Sequence, residues 1–334
     1  MSRHCVECYN PAMRIRLFVC LGAIVLLAGL LYAQVPTVPT APSADRQEGG
    51  QIVTTVVDVP LMVSVADNKG KLITNLTKND FRIFEDDKPQ AIKSFTRDTD
   101  LPLSIALLVD ASGSIIEQLK FERAAATDFF FNTVKRKKDR AAVIAFDSII
   151  SILSNETADG FYDDPERLAD AVRKIKAGGG TSVYDAVYGS VQKMLSKEKG
   201  ERRKLVILIS DGDDTASKLS LTEAIEMAQR HDVTIYAIST NKTSDTKSRS
   251  KVQGDDVIQK MVDETGGKAY FPLKLDDLAV DFQRIGDELR SQYIVSYTPT
   301  NQNLDGTYRE IRIEMSDKKY KARTRRGYFA SKAN

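Results

Sequence analysis

The chain has 334 residues, room for about two domains at roughly 150 residues each. Hydrophobic residues make up 42% and charged ones 28%, so an ordinary core is expected and wholesale disorder is excluded. With 48 Lys and Arg against 46 Asp and Glu, the net charge of +2 gives no basis for nucleic-acid binding, which needs a concentrated basic face. The two histidines are His4 and His231, and all three cysteines (Cys5, Cys8 and Cys20) lie in the first twenty residues. The body of the chain therefore lacks the material for a His/Cys zinc site, a disulfide framework or a thiol nucleophile. Its chemistry is left to hydroxyls, carboxylates, lysines and backbone.

Residues Leu17 to Ala33 form an almost unbroken apolar run preceded by Arg14 and Arg16. A basic flank, a short apolar stretch and a small residue at its end describe a secretory signal cleaved after Ala33. At 17 residues the run also reaches the lower limit for spanning a membrane core of about 30 Å, so an uncleaved anchor is the competing reading. Met13 begins a complete signal by itself, so residues 1–12 read either as an upstream extension or as a stretch before the true start at Met13. We read 1–34 as signal peptide or N-terminal anchor and 35–50, rich in Pro, Thr, Ser and Gly, as a linker. Either reading makes the protein exported: periplasmic, cell-envelope or secreted. Membrane contact is expected only through that anchor.

From Val53 to Val65 apolar residues alternate, the mark of a half-buried strand. The runs 81–84 and 91–95 flank EDDKPQ and predict a hairpin. At the far end, 292–297 and 309–315 alternate around NQNLDG, and a basic strand at 320–325 closes the chain. The two flanks, 51–98 and 290–334, are expected to form one small β-sandwich with the middle inserted between them.

The middle, 99–289, alternates strands with helices. Apolar runs at 103–110, 141–146, 204–210 and 233–239 have strand length, while 183–195, 221–228 and 278–289 show helical spacing. This pattern predicts an α/β fold with a doubly wound, mostly parallel sheet covered on both faces. Ligands of such sheets bind at the carboxyl ends of the strands. There the sequence places Asp110-Ala-Ser112-Gly-Ser114, Gly178-Gly-Gly-Thr181-Ser182 and Asp211-Gly-Asp213-Asp214, all three read as strand-to-helix loops. They offer hard oxygen, which suits Mg²⁺, with Mn²⁺ as a substitute.

These three motifs, in this order and about 70 and 30 residues apart, resemble the metal-ion-dependent adhesion site of von Willebrand factor type A domains. The flanks, VSVADNKGKLITNLTKNDFRIFEDDKPQ and RSQYIVSYTP…YREIRIEM…RRGYFA, are similar to the acidobacterial type A-related family of exported bacterial proteins. The resemblance implies a Rossmann-like domain in which Ser112, Ser114 and Thr181 bind the metal directly. Asp110 and Asp211 would act largely through bound water, and a protein partner would supply an Asp or Glu carboxylate to the open position. It implies a binding module and no enzyme. An enzymatic alternative rests on Asp211-Gly-Asp213-Asp214-Thr215, which fits the hydrophobic strand–DxDxT pattern of haloacid-dehalogenase-like phosphatases with Asp211 as nucleophile. It asks for a later Lys and an acidic pair, for which Lys260, Asp255 and Asp256 are the candidates. His231 reads as a surface residue at a helix end, the basic run 135–140 as a solvated face, and 241–256 as a polar loop on the metal side suited to partner specificity.

Overall fold

The chain enters the described structure, a computed structural model, on an alternating strand, and alternation decides which face goes inside. The structure describes residues 58–97, 100–113, 118–241, 249–274 and 276–332. The signal or anchor, the linker and Ser114 lie outside these residues. In β1 (Val59–Asp67), Val59, Leu61, Val63 and Val65 are buried while Pro60 is exposed. β2 (Phe81–Glu85) pairs with β3 (Lys88–Gln90) across a two-residue turn. Asp86 and Asp87 both sit at positive φ there, the conformation that a tight hairpin turn demands. The expected pairing of 81–84 with 91–95 is thus corrected: the hairpin closes early, and β4 (Ile92–Thr96) crosses to another sheet.

The middle of the chain begins with β5 (Leu103–Asp110), buried at every position. Then come α1 (Leu119–Thr133), β6 (Arg140–Phe146), β7 (Ile150–Ile152), α2 (Pro165–Arg173), α3 (Val183–Lys193) and β8 (Arg203–Ser210). α4 (Leu221–Arg230), β9 (Val233–Ser239), α5 (Arg249–Thr265), β10 (Ala269–Tyr270) and α6 (Asp277–Leu289) complete it. The sheet runs β10-β9-β8-β5-β6-β7, parallel throughout except for the edge hairpin β6–β7. Leu103, Ile105, Leu107 and Val109 face a core shared with α1, α2 and α6, while Ala106 and Leu108 face one shared with α3, α4 and α5. Two buried faces explain why the sequence shows continuous apolar runs here and alternation in the flanks. Phe129 of α1 meets Phe282 of α6 with ring centroids 5.1 Å apart.

Local signals set the helix ends. Asp164 accepts from the Glu166 N–H ahead of Pro165 at the start of α2, and Ser220 with Glu223 forms a capping box on α4. His231 is the C-cap of α4, as expected, and burial pulls its pKa below the usual imidazole value. The polar stretch 241–256 is only partly a loop, because α5 starts at Arg249. Among the described residues no helix is long and apolar enough to cross a membrane.

β11 (Tyr293–Tyr297), β12 (Tyr308–Met315), β13 (Tyr320–Arg323) and β14 (Gly327–Phe329) return to the first four strands. Two antiparallel sheets result, β13-β1-β11-β4 and β14-β12-β2-β3. They share one apolar core in which Leu61, Ile83, Tyr293 and Ile311 are all buried. A polar knot ties these sheets to the α/β sheet. The buried Glu288 carboxylate accepts from Tyr236 Oη at 2.7 Å and Ser64 Oγ at 2.8 Å, and pairs with Arg323.

Candidate metal centre

Parallel strands end together, so the chain segments that follow β5, β6 and β8 share one edge of the sheet. Asp110 is the last residue of β5 and is fully buried. Its Oδ1 accepts from the Ser112 N–H at 2.9 Å and its Oδ2 from Ser210 Oγ at 2.8 Å. Ser112, buried at the next bend, follows directly.

The glycine loop arrives by another route than expected. It joins α2 to α3 and is not a strand-to-helix loop. Because β7 folds back as an antiparallel edge strand, the chain crosses to the amino-end edge, where Tyr162 bridges Ala141, and α2 carries it back up. Gly178 N–H then donates to Ala111 O at 2.7 Å, and Gly113 N–H to Gly179 O at 3.3 Å, stitching the loop to the β5 turn. Gly179 takes a φ of +88° against Asp147, a conformation and approach that favour glycine. Thr181, nearly buried, is held by its backbone: its N–H donates to Thr215 Oγ1 at 3.0 Å, and its carbonyl accepts from Thr215 and Ala216 at 2.9 Å.

The third loop leaves β8 through Ser210, whose Oγ also accepts from the Gly212 N–H at 3.1 Å. Asp211 accepts from the Asp213 N–H at 3.1 Å, while Asn241 Nδ2 donates to the Asp211 carbonyl at 2.9 Å. Asp214, read from sequence with Asp213 as a solvated carboxylate, instead accepts from the Tyr184 N–H and from Ser217. Asp185 accepts from the Lys218 and Leu219 N–H groups, closing the same loop onto α3.

The electrostatics are one-sided. Burial raises the Asp110 carboxyl above its ordinary value, opposed by the bonds from Ser112 and Ser210 and reinforced by Asp147. Burial pushes Asp211 up to about 6, with Asp110 and Asp213 adding to it. Glu122, one turn into α1, goes to about 8 through burial and then the charges of Asp110 and Asp211. Among the described residues, both buried Glu122 carboxylate oxygens have no hydrogen-bond partner and no cationic side chain counters any of these three shifts. The loops therefore combine hard oxygen donors with uncompensated negative charge, the environment that a divalent cation relieves. Sequence reasoning missed Ser210 and Glu122. The first was visible as the serine preceding Asp211, whereas the second carries no motif. Of the groups required by the phosphatase alternative, Asp255 is engaged by Ser239 Oγ and Asn241 Nδ2, while Asp256 and Lys260 are exposed on α5.

A doubly wound sheet with hydroxyls and carboxylates gathered at its carboxyl edge defines an α/β protein of Rossmann-like architecture with a candidate cation site. A family model of the von Willebrand factor type A domain matches residues 104–279, more than half of the chain, and the chain belongs to that family. Comparison with curated proteins gives no match. Among solved structures, a von Willebrand factor type A protein from Catenulispora acidiphila is 13% identical, with a TM-score of 0.47, over 78% of this chain and 76% of that one. Proximal thread matrix protein 1 from the mussel byssus, with a zinc-occupied adhesion-site motif, is 16% identical with a TM-score of 0.48, over 61% and 49%. The von Willebrand domain of the type V pili tip protein Mfa5 from Porphyromonas gingivalis is 14% identical with a TM-score of 0.45, over 56% and 95%.

Proposed function

We propose that the protein is an exported, non-enzymatic binding module that captures a partner protein through a divalent cation. Mg²⁺, or Mn²⁺ in its place, would be held by Ser112, Ser114 and Thr181, with Asp110 and Asp211 orienting its bound water. The observation that carries this reading is the Asp110–Asp211–Glu122 group, buried at Asp110 and Glu122 and half-buried at Asp211, whose raised carboxyls have no opposing cationic side chain among the described residues. When bound, the cation supplies Lewis acidity toward oxygen ligands. This chain's residues orient and partly neutralise it: two short hydroxyls and a threonine leave the ion's charge incompletely balanced. An Asp or Glu from outside is then a favourable further ligand.

Titration calorimetry of the purified chain with Mg²⁺ and Mn²⁺ tests the site. Asp110→Ala and Ser112→Ala should each weaken binding by about tenfold or more; unchanged affinity in both would overturn the assignment. A pull-down from the native envelope, with and without EDTA, tests whether partner capture depends on the metal.

A further inference from the structure

A large cleft lies at the edge of the α/β sheet opposite the loops that follow β5 and β8. It is a wedge of about 630 Å³ between the outer face of the sheet β13-β1-β11-β4 and the amino-terminal ends of β8 and β9. That volume falls within the range of about 300–1,000 Å³ typical of small-molecule sites. Its two walls differ in chemistry. The sandwich wall presents Pro60, Met62 and Ile294 beside the hydroxyls of Ser94 and Thr96. The facing wall is basic, with Arg202, Arg203 and Lys204 in succession and Arg325 beside them.

Most of that charge is already engaged. Arg202 donates to the Leu103 and Lys138 carbonyls at 3.1 and 2.7 Å and pairs with Glu198. Arg325 pairs with Asp232 and donates to the Pro60 carbonyl, and Arg203 donates to Gln292 Oε1 at 3.1 Å. Lys204 differs: half-buried on β8, its backbone belongs to the sheet but its ammonium makes no hydrogen bond or ion pair among the described residues. Burial lowers its pKa, with Asp232 and Glu198 only partly opposing the loss. Of the acids lining the cleft, Asp232 is paired with Arg325 and Glu201 is exposed, so a partly desolvated Lys204 shares the cleft with apolar residues and has no bonded counter-ion among the described residues. A half-buried cation is stabilised by an anion that brings its own hydrocarbon.

We propose that this cleft binds a small amphipathic carboxylate, its head on the Lys204 ammonium and its hydrocarbon against Met62 and Ile294. The same chemistry comes from a free alkyl carboxylate or from the terminal carboxylate of a peptide ending in apolar residues.

Calorimetry of the purified chain in EDTA, which keeps carboxylates off the metal loops, tests this independently of the proposed function. Sodium octanoate should bind saturably, with acetate and octanol each weaker by about tenfold or more. Lys204→Met and Thr96→Glu, the latter an exposed change on an edge strand, should each weaken octanoate by about tenfold. Absence of saturable octanoate binding, equal binding of octanol, or unaltered affinity in both variants would overturn the proposal. The peptide Gly-Gly-Leu-Leu, free and amidated, identifies the source. Tighter binding than octanoate that is lost on amidation points to a chain terminus, and tighter octanoate points to the free acid.

Discussion

Ser210 Oγ donates to Asp110 Oδ2 at 2.8 Å, joining the carboxyl ends of adjacent strands β8 and β5 where both residues are fully buried. The same oxygen accepts from the Gly212 N–H at 3.1 Å, so one hydroxyl fixes the carboxylate of the first loop and the backbone of the third. Ser210→Ala would leave Asp110 Oδ2 and the Gly212 N–H without this partner. The expected loss of stability is about 1–3 kcal/mol, read by thermal or urea unfolding. Groups that orient ligands typically contribute about 10–100-fold to metal affinity, and Mg²⁺ binding should weaken within that range. Unchanged Mg²⁺ affinity in a folded Ser210→Ala protein would show that Asp110 is oriented by Ser112 alone.

Glu122 predicts an unusual pH dependence of the metal-free protein. Its carboxyl stands near 8 in the fold against an ordinary 4.5, raised by burial and then by Asp110 and Asp211. Between these two values the unfolded chain has released the proton that the folded chain keeps, so stability falls as pH rises from 4.5 to about 8 and levels off above. The full effect is on the order of 5 kcal/mol. Unfolding in EDTA at pH 5.5 and pH 8 should show the higher stability at the lower pH. Glu122→Gln should remove most of that slope, and a slope preserved in this variant would contradict the assignment.

Much of this was legible in the sequence because the two kinds of sheet bury their residues differently. β5 and β8, closed on both faces, read as unbroken apolar runs, and β1, closed on one, reads as alternation. The position of the loops that follow β5 and β8 at one sheet edge was legible because each follows an apolar strand directly, whereas the route of the glycine loop between α2 and α3 was not. What escaped had no local signature. The carboxyl of Glu122 differs from any helical glutamate only through the tertiary fold that buries it. The pairing of β2 with β3 turned on two aspartates accepting positive φ. The start of α5 lay hidden in a polar stretch whose helicity comes from packing Ile258, Met261 and Val262 into the core.

Gly212 and Gly254 test how closely the third loop must approach α5. Gly212 has a φ of +76°, and a β-carbon there would lie 2.2 Å from the Gly254 carbonyl oxygen. A β-carbon on Gly254 would lie 2.2 Å from the Asp211 carbonyl oxygen. Neither clash can be relieved by rotating a side chain, since backbone meets backbone. Gly212→Ala adds backbone strain of about 1–3 kcal/mol to its clash, so it should destabilise the fold by at least that much. Gly254→Ala should destabilise it too, and the double variant should cost less than the sum because both press on one contact. Strict additivity in unfolding measurements would mean that the two glycines are independent.

The Glu288 knot makes the last prediction, which concerns cooperativity. Ser64 belongs to β1, Arg323 to β13, Tyr236 to β9 and Glu288 to α6, so one buried carboxylate collects bonds from both sandwich and α/β strands. Gln292 extends the knot, donating to Ser64 Oγ at 2.9 Å and Tyr236 Oη at 3.1 Å. Glu288→Ala removes the acceptor and leaves the half-buried Arg323 without this counter-ion, a loss of up to about 3 kcal/mol, at the low end for a broken buried pair because solvent reaches Arg323. Glu288→Gln keeps an oxygen in place of Oε1, which accepts from both Tyr236 and Ser64, and should cost less because only the charge is lost outright. If the knot is what makes the two layers melt as one, calorimetry should resolve a single transition in the parent and in Glu288→Gln, and two in Glu288→Ala. A single transition in Glu288→Ala, shifted to lower temperature, would assign the coupling to the apolar contacts around Leu289 and Tyr293 instead.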